Sequence, residues 1–207
     1  MRRRVWLPVI LIVALVAFFS GCAKVPQPEI DAAKASLSAA KTAEADRYVP
    51  EEYSGANQAL NAATTEVEKQ NSKFVLFRSY KEAVKMLADA KMKAEEAASA
   101  AAAKKEEVKK ETEAVMAEIT ASIESTKGLI ATAPKGKEGK QALEAIQTDL
   151  TAVEASLQEA NTVYQGGDYL TAVDKAKSVL EKAKALNDEM TQAIEKYKSL
   201  KSPKKKK

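Results

Sequence analysis

"LEAIQTDLTAVEASLQEANTVYQGGDYLTAVDKAKSVLEKAKALNDEM", residues 143–190, decides the fold. Leu143, Ile146, Leu150, Val153, Leu157, Ala160 and Tyr164 follow one another at alternating steps of three and four. After Gln165-Gly166-Gly167 the same rhythm resumes at Ala172, Ala176, Val179, Ala183, Leu186, Met190, Ala193, Tyr197 and Leu200. A repeat of about 3.5 residues sustained over three or more heptads places one narrow apolar seam along each of two helices. The glycine connector is too short for anything but a reversal, and Asp168 is a suitable cap for the helix that follows. Residues 137–201 therefore read as an antiparallel αα-hairpin.

Working outward, the rest of the chain is helical as well. The sequence is 45% hydrophobic but only 5% aromatic, and its 30% charged residues mix both signs, which favours long helices over a deep globular core. Pro28 suits a first helical position, followed by an apolar stripe at Ile30, Ala33, Leu37 and Ala40, with a stop at Val49-Pro50. Pro50 opens a second helix with Glu51 and Glu52 in the dipole-favoured first turn and a stripe of Tyr53, Ala56, Leu60, Ala63 and Val67. After the apolar knot Phe74-Val75-Leu76-Phe77, a third helix is predicted from near Ser79 to about Ala131. Its stripe passes Tyr80, Leu87 and Ala94, thins across the alanines at 97–103, and recovers at Val108, Val115, Ile119 and Ile123. The expected architecture is all-α: an elongated helical bundle with antiparallel coiled-coil hairpins. An alanine-rich three-helix domain with a long third helix spans 28–132, the hairpin spans 137–201, and a basic disordered tail spans 202–207.

The front of the chain has a different character. Arg2, Arg3 and Arg4 precede an uncharged apolar stretch at 5–19, the layout of an export signal. As a helix that stretch reaches roughly 22 Å, short of the roughly 30 Å hydrocarbon core. Ser20 and Gly21 then lead into Cys22, the single cysteine of the chain. This stretch resembles the lipobox of bacterial lipoproteins, although Phe19 stands where leucine is usual. The resemblance implies a signal peptide over 1–21, cleavage before Cys22, a diacylglycerol on its sulfur, and a lipidated linker over 22–27. Two or three acyl chains on one residue anchor a protein durably. Ala23 follows where aspartate often marks retention in the inner membrane, so the resemblance implies the outer membrane, facing the periplasm.

"YVPEEYSGANQAL", residues 48–60, and "YKEAVKMLADAKMKA", residues 80–94, carry a second resemblance. They are similar to an uncharacterised family of alanine-rich helical bacterial lipoproteins, a domain of unknown function with a Tyr-Ala-Pro-x-Glu-Leu motif. Tyr48, Pro50 and Glu52 match; Val49 and Tyr53 replace the alanine and leucine. The resemblance covers about residues 25–105 and implies location and fold without an activity. "GDYLTAVDKA", residues 167–176, also looks like the second half of a tetratricopeptide repeat, but the helix before it is too long for one.

The sequence argues against an enzyme. It has no histidine, and lipidation would consume the single cysteine, so the usual nucleophile, base and transition-metal sets are missing. Ser38-Ala39-Ala40-Lys41 has the Ser-x-x-Lys spacing of penicillin-binding proteins without their partner motifs. The run from Pro134 to Lys140 lacks the first glycine and final Ser/Thr of a phosphate loop and reads as a flexible turn. Glu106, Glu107, Glu111 and Glu113 alternate with Lys104, Lys105, Lys109 and Lys110, the pattern of a solvated face. No metal, cofactor or nucleic acid is implied.

The expected role is binding or structural within the cell envelope. Its partners would be outer-membrane lipid, through the Cys22 acyl chains, and a protein or second copy, through the helices. Lys204, Lys205, Lys206 and Lys207 supply a basic tail for an anionic surface or cell wall. The alternative is an envelope tether joined to peptidoglycan through that tail.

Overall fold

A computed structural model describes residues 24–133 and 137–201. They form six α-helices and one short 3₁₀ turn, and among the described residues there is no strand. The helices are α1 (Gln27–Thr42), α2 (Ala45–Tyr48), α3 (Pro50–Asn71), α4 (Lys81–Thr132), α5 (Lys137–Gln165) and α6 (Tyr169–Lys201). The chain is an all-α helical bundle. It divides into two compact units, residues 1–104 and 105–207, so α4 contributes to both.

In the first unit, Ile30 and Ala33 of α1, Leu60, Ala63 and Val67 of α3, and Tyr80, Ala83, Leu87 and Ala90 share one core, with Leu37 packed against it. Ile30, Ala33, Leu60, Ala63, Val67, Tyr80 and Leu87 are stripe residues expected from the sequence, Ala83 and Ala90 join them, and four of these nine are alanine. Alanines such as Ala33, Ala63 and Ala83 are fully covered, which lets the helix backbones approach closely.

The expected single helix from Pro28 to Val49 is in fact broken. α1 ends at Thr42, and Glu44 adopts φ +60, in the left-handed region. The Glu44 carbonyl accepts the N–H groups of Arg47 (2.9 Å) and Tyr48 (3.0 Å), and its carboxylate pairs with Arg47 at 3.0 Å. One left-handed residue redirects the chain so that Ala45 and Tyr48 are both buried before Pro50 opens α3. Neither glycine nor proline marks this site, and only packing selects it.

In the second unit, Ile119, Ile123 and Ala133 join Ile146, Leu150, Val153 and Ala160 of α5 and Ala176, Val179, Ala183, Leu186 and Met190 of α6. Gly166 and Gly167 turn the chain between α5 and α6, and Gly167 takes φ +84, which glycine adopts without penalty. Asp168 caps α6: its side chain accepts from the Thr171 hydroxyl at 2.8 Å and its carbonyl from the Ala172 N–H at 3.0 Å. The α5–α6 pair is thus an antiparallel hairpin, and the C-terminal half of α4 completes a three-helix core.

One seam position differs from the heptad reading. Ala193 is exposed, and Ile194 packs against the core in its place. An α-helix turns every 3.6 residues, so a strict seven-residue repeat drifts by about 20° per heptad. By the end of α6 the drift moves the buried stripe on by one residue.

Candidate functional site

Ser20, Gly21 and Cys22, the residues on which the anchor reading rests, lie outside the described residues, as do Lys204, Lys205, Lys206 and Lys207. The first described residue, Lys24, is two positions past Cys22.

The other motifs separate into surface and scaffold. Ser38 and Lys41 are exposed on α1. Two carboxylates of the 106–113 run, expected on a solvated face, reach across to other helices: Glu111 meets Lys177 of α6 at 2.6 Å, and Glu113 accepts a hydrogen bond from the Tyr164 hydroxyl. That bond holds the phenol proton and pushes the Tyr164 pKa up to about 12. Lys184 repeats the pattern against Glu118 at 3.2 Å, and Lys127 reaches Glu154 of α5 at 2.8 Å. The carboxylates beside Lys127 and Lys177 raise the pKa of each ammonium, in each case mainly through the hydrogen bond it donates, to Glu154 and Glu111 respectively. No group of three or more potential metal ligands occurs among the described residues.

Polar groups also enter the second core. The buried Thr126 hydroxyl donates to the Ser122 carbonyl at 2.9 Å and accepts from Asn187 Nδ2 at 3.0 Å, while the same amide donates to Ser125 Oγ at 2.9 Å. A shallow groove between α5 and α6 is lined by Asp149, Val153, Ser156, Lys182, Leu186 and Glu189. Asp149, Lys182 and Glu189 are exposed, and none of the lining residues is histidine or cysteine.

The most distinctive surface is the loop between α3 and α4. Phe74 is 69% exposed, Leu76 75% and Phe77 75%, with Val75 less so. They are the largest exposed apolar side chains grouped anywhere in the described chain. The loop is held rigidly from below. Arg78 Nε donates to the Lys73 carbonyl at 2.9 Å, and its Nη2 donates to the Asn71 carbonyl at 2.8 Å. The side-chain oxygen of buried Gln70 accepts from the Ser79 N–H (3.2 Å) and Lys73 Nζ (3.0 Å), and its amide donates to Glu66 at 2.6 Å. The Tyr80 hydroxyl donates to Asn71 Oδ1. The bond from Gln70 is also the main cause of the lowered pKa of Glu66. Four large hydrophobic residues between two helix breaks mark this knot in the sequence, but their exposure appears only in the structure.

Compared with known proteins, the chain matches no family model, no curated protein and no solved structure. No described helix is long and apolar enough to cross a membrane.

Proposed function

We propose that the chain is a lipid-anchored helical lipoprotein that faces the periplasm from the outer membrane and has a binding or structural role in the cell envelope. The observation that carries this reading is the order of Arg2, Arg3 and Arg4, an apolar run at 5–19, and Ser20-Gly21 before the single cysteine Cys22. The alanine-rich helical motifs at 48–60 and 80–94, similar to those of bacterial lipoproteins, support it. So does the pairing of charges between helices, which commits ionisable groups to assembling the bundle. A bundle of this kind presents long helical faces to a partner and is suited to holding or spacing.

Metabolic labelling with radioactive palmitate tests the reading. Wild-type protein should incorporate label and fractionate with the membrane, while Cys22→Ser should lose the label and leave the membrane fraction or remain uncleaved. Equal labelling of the two would refute the anchor.

A further inference from the structure

We propose that the loop carrying Phe74, Val75, Leu76 and Phe77 is a membrane-contact tip that inserts into the interface of an anionic phospholipid bilayer. A flexible loop would fold such residues onto the nearest helix. Here the clasp of Arg78 on two carbonyls and of Gln70 on Ser79 keeps them outward. The turn itself is closed by the Phe77 N–H donating to the Phe74 carbonyl at 2.8 Å, and the two phenyl rings lie 6.4 Å apart. A compact apolar cap on a rigid stem is the shape an interfacial insert requires.

Charge identifies the partner. From Lys69 to Lys81 the chain has four cations, Lys69, Lys73, Arg78 and Lys81, and no acid. Glu68 immediately precedes this stretch and Glu82 immediately follows it, and Glu66 pairs with Lys69 at 3.1 Å. Lys73 and Arg78 directly flank the apolar four. Apolar side chains bounded by Lys and Arg suit the boundary where acyl chains meet anionic headgroups.

The topology adds a second argument. α3 and α4 form a hairpin at this loop, so Val67 and Tyr80 share its end of the core. The Ser36 hydroxyl donates to Glu95 at 3.3 Å, which sets Ser36 roughly 22 Å above Tyr80 along α4. Ile30 and Ala33 pack in the core that ends at Ala90, so α1 runs parallel to α4 and Gln27 lies roughly 13 Å below Ser36. The start of α1 is therefore within about 10 Å of the level of the loop. Cys22 precedes Gln27 by five residues, a span of at most about 18 Å. This last step rests on the anchor reading: an acylated Cys22 and the tip would meet the same bilayer. The lipid affinity of the tip does not depend on it.

The test uses the chain from residue 22 onward with Cys22→Ser, which carries no acyl chain and retains every described helix. Trp6 is the one tryptophan of the sequence and is removed, so Leu76→Trp gives a single reporter. Vesicles of phosphatidylcholine with phosphatidylglycerol should shift its emission to the blue, and brominated acyl chains should quench it. Phe77→Ser in the reporter should weaken partitioning about tenfold or more. Lys73→Gln and Lys81→Gln should each weaken it about fivefold. Circular dichroism checks that helix content is unchanged. Emission insensitive to vesicles would overturn the proposal. So would a blue shift that grows with protein concentration in the absence of lipid, which would assign the tip to a second copy of the chain. Loss of the palmitate result alone would refute the anchor and leave this binding intact.

Discussion

Lys177 Nζ of α6 stands 2.6 Å from Glu111 Oε1 of α4, and one heptad further on Lys184 stands 3.2 Å from Glu118. The equal sequence separation in the two pairs fixes α4 and α6 as parallel neighbours in one register. Charges flanking an apolar seam select partner and register more than they add stability. Lys177→Glu should lower the melting temperature, and adding Glu111→Lys should restore it. High salt should shrink both effects. A calorimetric double-mutant cycle measures this.

The seam at the end of α6 gives a sharper contrast. Ile194→Lys should destabilise the protein, because Ile194 packs on the core, while the same change at exposed Ala193 should be nearly neutral. Deeper in the unit, fully buried Ile119→Ala should cost about 2–5 kcal/mol. Urea unfolding followed by circular dichroism reads all three.

Much of this fold was legible in the sequence because a helix advertises its buried face by spacing. Leu150, Val153, Leu186 and Met190 are buried as the heptads required. Three features were not legible. The kink at Glu44 has no local signal and is selected by the burial of Ala45 and Tyr48. The split of the two units after Lys104 within α4 is signalled only by the thinning of the stripe at 97–103 and by no helix breaker, so its place could not be fixed from the sequence. The exposure of Phe77 could not be read either, since apolar residues in a loop look the same whether they fold inward or stand out. The anchor proposal rests on the sequence of residues 20–22 alone, which lie outside the described residues.

Glu44 provides a prediction of its own. A non-glycine residue in the left-handed region costs about 1–2 kcal/mol. Glu44→Gly should therefore be neutral to stabilising even though it gives up the Arg47 pair, whereas Glu44→Val should be strongly destabilising. Thermal melts of the two variants check the sign.

Tyr164 supplies the pH dependence. Its phenol pKa is raised to about 12 by the hydrogen bond to Glu113. A group with a raised folded-state pKa contributes stability that is complete below its unfolded value, near 10, and is lost as pH rises toward the folded one. Ultraviolet titration of phenolate should show Tyr164 ionising late, and Glu113→Ala should bring its ionisation down and reduce that alkaline loss of stability.

The most direct test of the lipoprotein account is intact mass spectrometry of the N-terminal peptide of protein extracted from cell membranes. The account predicts a peptide that begins at Cys22 and carries a diacylglyceryl thioether, with a further acyl group on the new amine. A chain that begins elsewhere, or a Cys22 with an unmodified thiol, would contradict it.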